Sequence, residues 1–365
     1  MKIEFYHIDA FEVPNYEPIW RRLRELGVDA RLVGVPDNQN TAANGWFDFD
    51  RFKTYCTERA LPFTTQADPT TDIAITTQNE DILRNYPCPH VRVMYGPIVY
   101  PAAWGLQQHA VKPFDALLTH GKIYANFYSQ WLRPDQLPVV GYPRYDDFFA
   151  GKLQRNLIRQ RWGVQNKKPV LVFLPTWGDN TGFDKFLPAL LNLTHKYQII
   201  LRPHHCTLRL EPNRMALLKS SGLLILDNAF DLAEVYAGAD VVLADMRSGG
   251  LFEACICDVP TVGMVLDSAE IPGWIMRNGV EKMLSLCTED YQLETAIDIA
   301  LTSKSQAEHR KRWSDEHVSF RDGTAGLQAA QALIKLATRT HMAIKPVNFN
   351  GLTSVSVVET NLNNN

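Results

Sequence analysis

The run Arg202-Pro203-His204-His205 sets a guanidinium beside two imidazoles, a combination able to neutralise a diphosphate or a departing phosphate group. A second stretch, Ala244-Asp245-Met246-Arg247-Ser248-Gly249-Gly250-Leu251-Phe252-Glu253, places a hydroxyl and two glycines ahead of a helical run. Backbone amides and a helix N-terminus then form an anion site with nothing bulky in front of it. Glu253 falls about one turn into that helix, where its carboxylate accepts from a ribose or reaches back to the first-turn amides. The turn Leu174-Pro175-Thr176-Trp177-Gly178-Asp179-Asn180 offers the Thr176 hydroxyl and neighbouring amides to a phosphate or to an acceptor. The fourth place is Asp227-Asn228-Ala229-Phe230-Asp231-Leu232, where helix capping by Asp231 is explanation enough. Each of the others also has a plain structural reading: a turn capped by Thr176 or Asp179, a surface histidine pair, a helix capped by Ser248.

What gives these stretches weight is their position. Each follows an aliphatic strand candidate, Val170–Phe173, Gln198–Leu201, Leu223–Leu226 or Val241–Leu243, and a fifth candidate is Thr261–Val265. In an open parallel sheet, ligands bind beyond the carboxyl ends of the strands. Segments of helical spacing separate these candidates, the pattern of a Rossmann-like domain. The first half repeats the alternation, with strands expected at Lys2–Phe5, Ala30–Val33, Ile73–Ile75, Val91–Met94, Ala116–Leu118 and Val139–Val140, and helices around Glu17–Glu25 and Gly121–Trp131. The aromatic and Asn/Asp-rich region 36–68 has no clear periodicity. Gly and Pro interrupt the pattern at Gly141-Tyr142-Pro143, and a charged helical stretch, Leu153–Trp162, follows, so the junction falls near 141–168. The expected division is an acceptor-side domain over 1–145, a nucleotide-donor domain with closing helices over 146–340, and a disordered Asn-rich tail over 341–365.

Composition bounds the function. The 365 residues fit about two domains, and 37 Lys+Arg against 40 Asp+Glu, a formal charge of −3, do not favour nucleic acid. Cys56, Cys88, Cys206, Cys255, Cys257 and Cys287 include no C-x-x-C and read as free thiols of a reducing compartment. The N-terminus lacks a signal-peptide pattern, and no stretch reaches the ~18 apolar residues of a membrane span. The expectation is a cytoplasmic protein, with peripheral contact at the inner face of a membrane left open. The D-x-D of Asp48-Phe49-Asp50 and the pair Asp146-Asp147 follow no strand candidate, so neither a metal nor another cofactor is expected.

Taken in order, the motifs resemble those of the CDP-glycerol:poly(glycerophosphate) glycerophosphotransferase family. Gly141-x-Pro143-Arg144-x-Asp146 is similar to its G-x-P-R-x-D linker, Pro175-Thr176-Trp177 to its P-T-W turn, and Arg202-x-His204 to its R-x-H strand end. Asp231-Leu232 with Ala239-Asp240, Asp245 through Ser248 with Pro260, and Asp322-Gly323 continue the series, over about residues 115–338. The resemblance implies an α/β chain of GT-B type, two Rossmann-like domains facing a cleft that binds a nucleotide-diphosphate donor. It also implies that His204 contacts the donor diphosphate or assists departure of cytidylate, that Ser248 and Gly249 hold phosphate oxygens, and that Arg202 supports them.

Two differences from the family pattern matter. Its His-Gly-x-Pro segment corresponds here to Tyr95-Gly96-Pro97, and a phenol with a pKa near ~10 is a poor base, so either another residue deprotonates the acceptor, with His120 after Ala116–Leu118 as the substitute, or the chemistry differs. Met246-Arg247 stands for Y-S, and Ser248-Gly249-Gly250-Leu251-Phe252-Glu253 is closer to the S-G-G-x-x-E of UDP-N-acetylglucosamine 2-epimerases. The leading expectation is a transferase that moves a glycerophosphate or glycosyl group from a CDP-glycerol-like donor or a nucleotide sugar to an envelope polymer or glycan. A UDP-sugar epimerase and a nucleotide-binding protein without activity are the alternatives. The expected site is His204 and His120 for catalysis, with Arg202, Thr176, Asp245, Arg247, Ser248, Gly249, Gly250 and Glu253 on the donor.

Overall fold

The computed structural model describes residues 1–344 apart from 8, 35–47, 78–82, 84–85, 98–110, 166, 227–230 and 267–278. The Asn-rich segment 345–365 and the stretch Asp227–Phe230 therefore lie outside the described residues.

Two six-stranded, all-parallel sheets carry the fold. The first runs β3-β2-β1-β4-β5-β6, from β1 (Lys2–His7), β2 (Asp29–Gly34), β3 (Phe63–Thr64), β4 (Ile73–Thr76), β5 (His90–Val93) and β6 (Ala116–Leu118). The second runs β12-β11-β10-β7-β8-β9, from β7 (Val170–Leu174), β8 (Gln198–Leu201), β9 (Leu224–Ile225), β10 (Val241–Asp245), β11 (Thr261–Met264) and β12 (Ser285–Cys287). Both orders reverse beside the first strand of their sheet, β1 or β7, which opens the crevice that ligands use in doubly wound folds. The central strands are buried on both faces, so β7 reads as the unbroken apolar run Val170-Leu171-Val172-Phe173-Leu174.

The expected strands are present with ends shifted by a residue or two, with one exception. Val139 makes only an isolated bridge to Thr119, because Gly141 turns the chain away before a ladder can extend. The unassigned region contains the helix Phe49–Glu58 and β3, and the edge strand β12 carried too short an apolar signal to be read. Asp48, half of the D-x-D, caps that helix by accepting from Arg51 N at 3.1 Å, while Asp50 points to solvent.

The last helix, Ala325–Ile344, falls with the second half in linear order but packs on the first domain. Ala329, Ala330, Leu333 and Ala337 repeat at helical spacing, and this face enters the core around Ile19 and Leu23 of the helix Val13–Glu25. The chain thus crosses between domains twice, at 141–146 and 318–325. Asp146 ties the crossings together, since its carboxylate accepts from Ala325 N (3.0 Å) and Gly326 N (2.7 Å) at the start of that last helix.

Burial pushes Asp146 up to about 6, against the lowering effect of those two amides. A carboxyl whose folded pKa exceeds its unfolded value of 3.8 contributes stability at low pH that is lost as pH rises through the folded pKa. The melting-temperature advantage of wild type over Asp146→Asn should therefore shrink between pH 5 and pH 7. An advantage that grows over that interval would mean that the amide bonds outweigh burial.

Candidate functional site

The carboxyl ends of β7, β8 and β10 bring together most of the residues singled out in the second half. After β8, Arg202 is half-buried, and burial, with Arg144 nearby, lowers its pKa, although a guanidinium stays charged at any working pH. Its Nε is buried without a hydrogen-bond acceptor. His204 caps the helix His205–Leu210, and its Nδ1 accepts from Cys206 N at 3.2 Å. That bond fixes the tautomer, leaving the proton on Nε2 as a donor. Burial first, then Arg202 and Arg51, lower the His204 pKa to about 3, so the ring is neutral over the physiological range. The Trp177 ring stands 6.1 Å from that of His204, and the His205 ring lies 4.2 Å away.

Ser248 caps the helix Gly249–Ile256 through Gly250 N at 3.2 Å. A side chain at Gly249 would meet nothing within 4 Å, so the approach to this helix N-terminus is open, while Tyr236 donates to the Gly250 carbonyl at 2.8 Å and closes the far side. Arg247 is exposed next to this cap.

Asp245 does not face the cleft. It is 2% exposed, and its two oxygens accept from Thr176 N (2.6 Å) and Gly182 N (2.6 Å). Its work is to fold the Thr176 turn over the end of β10, so it acts on a donor through that turn. Thr176 itself stays half-buried at the mouth of the sheet.

Glu253 settles differently from both sequence readings, since the residue is 5% exposed and its carboxyl meets Tyr142 of the first domain. Its Oε1 is hydrogen-bonded to the Tyr142 hydroxyl, which also lies 3.0 Å from the Tyr95 carbonyl oxygen. One hydroxyl proton cannot serve both oxygens. It serves one acceptor at a time, while burial raises the Glu253 pKa against the lowering effect of Arg144 and of the hydrogen bond from Tyr142. Arg144 joins the same buried cluster, pairing through Nε with Asp231 at 3.0 Å, and Asp231 caps the helix Leu232–Gly238 as expected.

His120 is the residue the structure sets apart. It is 1% exposed and stacked on Tyr142 at 3.7 Å, and it lies 3.2 Å through Nε2 from the Met94 carbonyl. Burial lowers its pKa to about 3. The ring is behind Tyr142 rather than in the cleft, so it supports the interdomain contact and does not reach a substrate. Tyr95 is 46% exposed at the cleft, yet desolvation there raises its phenol to about 12, which makes it a hydrogen-bond donor and not a base.

Across from His204, the first domain contributes residues that the sequence reading passed over. Phe11 stacks on His205 with centroids 5.1 Å apart and meets Tyr95 edge-on at 5.5 Å. Asp9 pairs with Arg51, and Arg209 of the second domain faces Asp48 at 3.5 Å. Asp9 and Phe11 lie just past β1, so applying the strand-end rule to the first half would have found them.

Among the described residues, His204, His205 and Cys206 form the one group of three side chains with metal-ligating atoms, all within 4.8 Å of one another. Guanidiniums surround them, and burial holds the Cys206 thiol up to about 11, a poor setting for a cation. The same surroundings suit an anion.

Two facing Rossmann-like domains, each an all-parallel six-stranded sheet with a crevice at its switch point, are the architecture of the GT-B fold. The family profile described as CDP-Glycerol:Poly(glycerophosphate) glycerophosphotransferase matches residues 114–335, more than half of the sequence, and the chain belongs to that family. No curated protein matches the chain at a significant level. Among solved structures, the wall teichoic acid polymerase TagF soaked with CDPG aligns with a TM-score of 0.64 and 17% identity, over 93% of this chain and 90% of that one. UDP-GlcNAc 2-epimerase from Methanocaldococcus jannaschii follows at 0.57 and 16%, over 93% and 100%. Anabaena HepE with UDP and glucose aligns at 0.53 and 15%, over 93% and 99%. At such identities the likeness is one of fold. No helix among the described residues is long and apolar enough to cross a membrane.

Proposed function

We propose that the enzyme transfers glycerophosphate from CDP-glycerol to a cell-envelope polymer or glycan, with the donor diphosphate held by His204, Arg202 and the Ser248-Gly249 helix start. The observation that carries this reading is the convergence of three kinds of anion donor at one strand-end mouth. These are the neutral Nε2–H of His204, the unused Nε–H of Arg202, and the open N-terminus of the helix Gly249–Ile256. Donors fixed in advance around a leaving phosphate stabilise the charge that develops as the anhydride bond breaks. The attacking hydroxyl must lose its proton as the new phosphodiester forms, and the Tyr95 phenol, raised to about 12, is not the group that takes it at neutral pH. Activity on an envelope polymer would bring the protein to the inner face of the membrane as a peripheral enzyme.

Titration of the protein with CDP-glycerol, CDP, UDP-N-acetylglucosamine and UDP tests the reading, because a ligand of the native state raises the melting temperature. Only the cytidine ligands are expected to do so, and Ser248→Trp, which fills the space before Gly249, should abolish the shift. Selective stabilisation by the uridine ligands would move the chain to sugar transfer or epimerisation, and an epimerase would turn over UDP-sugar without an acceptor. Binding of nucleotide with neither transfer nor hydrolysis would leave a nucleotide-binding protein.

A further inference from the structure

The proton shed by the attacking hydroxyl needs a group to receive it, and the titratable side chains of the first-domain wall are engaged elsewhere. Tyr95 stands at about 12, and His120 lies behind Tyr142. Asp9 and Glu12 are fully buried. Asp9 accepts from Phe11 N at 3.2 Å, from Asp48 N at 2.9 Å and from Arg51, while Glu12 accepts from Asp9 N at 3.1 Å and from the Thr77 hydroxyl at 3.0 Å. Asp48 caps its helix through Arg51 N and faces Arg209 of the second domain at 3.5 Å. On the second-domain wall, His204 has its Nδ1 lone pair engaged by Cys206 N, and Cys206 is itself fully buried.

His205 is different. It opens the helix His205–Leu210, it is half-buried, and no hydrogen bond from a described residue reaches its ring. That ring lies 5.1 Å from Phe11 of the first domain, with 19° between the planes, and 4.2 Å from His204. Phe11 also meets Tyr95 edge-on, so a second-domain imidazole sits where the two domains touch, next to the residue that offers its Nε2–H to the donor. In an in-line displacement the attacking and leaving oxygens lie on opposite sides of one phosphorus. Two neighbouring imidazoles can serve these two oxygens together, one donating a hydrogen bond and the other accepting a proton.

The surrounding charges make the basicity of His205 depend on the donor. Burial first, then His204, Arg51, Arg202 and Arg209, hold the free imidazole at about 2. The nearby carboxylates do not offset this, since Asp9, Glu12 and Asp48 have the partners given above and Glu211 takes Gly178 N at 2.8 Å and Arg214. A diphosphate held at Arg202 and the Gly249 helix start brings negative charge beside the ring, and an opposite charge within ~4–6 Å favours the protonated form. The ring then moves back toward its ordinary value of 6.5, where an imidazole is an effective base.

We propose that His205 is the general base of the reaction, a catalytic residue whose ring accepts the proton of the acceptor hydroxyl once a donor is bound. This rests on the donor placement proposed above. In the step, the acceptor O–H bond breaks and its proton passes to a ring nitrogen of His205, the new O–P bond forms, and the anhydride P–O bond breaks with its electron pair leaving on the cytidylate. Departure of that anion restores the field of the arginines, which expels the proton to solvent and resets the base.

The test uses the full chain with 13C-labelled histidine, CDP as the donor-side probe, and CDP-glycerol with a synthetic glycerol phosphate oligomer for rates. In the free protein the His205 ring should stay neutral down to pH 5. Saturating CDP should bring its inflection above pH 5, in a resonance that His205→Gln removes. Glutamine keeps a polar side chain at the same helix position but takes no proton, so kcat of His205→Gln should fall at least about 10²-fold while the Kd of CDP stays within about twofold. Wild-type kcat should decline below the inflection, because the base must start unprotonated, whereas His205→Gln should give a flat profile and regain part of its rate with added imidazole. A His205 ring that fails to titrate above pH 5 with CDP bound would overturn the proposal, and this is read on wild type, so it decides even if the variant folds poorly. A His205→Gln kcat within about threefold of wild type would also overturn it, as would a loss of CDP affinity equal to the loss of rate, which would make His205 a donor ligand. If wild type fails to bind CDP, the donor reading falls and this proposal with it; if CDP binds and His204→Asn loses rate while His205→Gln keeps it, this proposal alone falls.

Discussion

Replacing His204 by asparagine is expected to lower kcat/KM for transfer about 10²–10³-fold, the usual effect of removing one preorganised donor from a developing anion. The substitution is chosen because His204 has two jobs. Its Nδ1 caps the helix His205–Leu210 by accepting from Cys206 N, and its Nε2–H is the group left to face a phosphate. Asparagine is among the best N-caps, so His204→Asn should keep the melting temperature, whereas His204→Ala gives up the cap and about 1 kcal/mol with it. Since burial and the neighbouring arginines hold the imidazole pKa to about 3, the free enzyme should show no inflection in kcat/KM near pH 6.5 that depends on this residue. Steady-state rates of wild type, His204→Asn and His204→Ala from pH 5 to pH 9 would decide. Full activity in His204→Asn would reduce His204 to a helix cap.

That experiment also separates what was readable in the sequence from what was not. The second domain was legible because its strands are buried on both faces and so write themselves as aliphatic runs, and ligand-facing residues then follow at their ends. Arg202, His204, Ser248 and Gly249 were read in this way, and each lies just past the carboxyl end of β8 or β10 in the second sheet. Asp245 was found by the same rule but lies inward, because a motif gives a residue's position along a strand and not the direction of its carboxylate. Glu253 was read within its own helix, while its partner Tyr142 is 111 residues away. No local spacing encodes that contact. His120 was proposed for its residue type and strand-end position, and its stacking behind Tyr142 depends on how the second domain closes over it. Arg51 was hidden for another reason: Phe49, Phe52, Tyr55 and Cys56 recur at helical spacing and enter one core, but Arg51 lies within that helix rather than directly after a strand, where the strand-end rule does not reach.

The second large effect is expected on stability, at the first crossing between the domains. Gly141 has φ +85°, and a Cβ there would stand 2.6 Å from the Ser319 carbonyl oxygen and 2.7 Å from Ala325 Cβ, both on the returning crossing. Gly141→Ala therefore meets two costs, left-handed backbone in a residue with a side chain and overlap with main chain that cannot rotate away, each about 1–3 kcal/mol. Together they should lower the melting temperature by roughly 5–10 °C. The control is Gly151→Ala, where φ is +66° but nothing lies within 4 Å, so only the backbone cost applies. Gly141 directly precedes Tyr142, so relief of the clash by spreading the crossings would also draw the Tyr142 hydroxyl from Glu253 and loosen the second domain against the first. The Gly141 variant should accordingly lose transfer activity out of proportion to its fraction unfolded, while the Gly151 variant keeps its activity. Equal melting temperatures for the two would show that the crossings are not packed rigidly enough to set the geometry of the cleft.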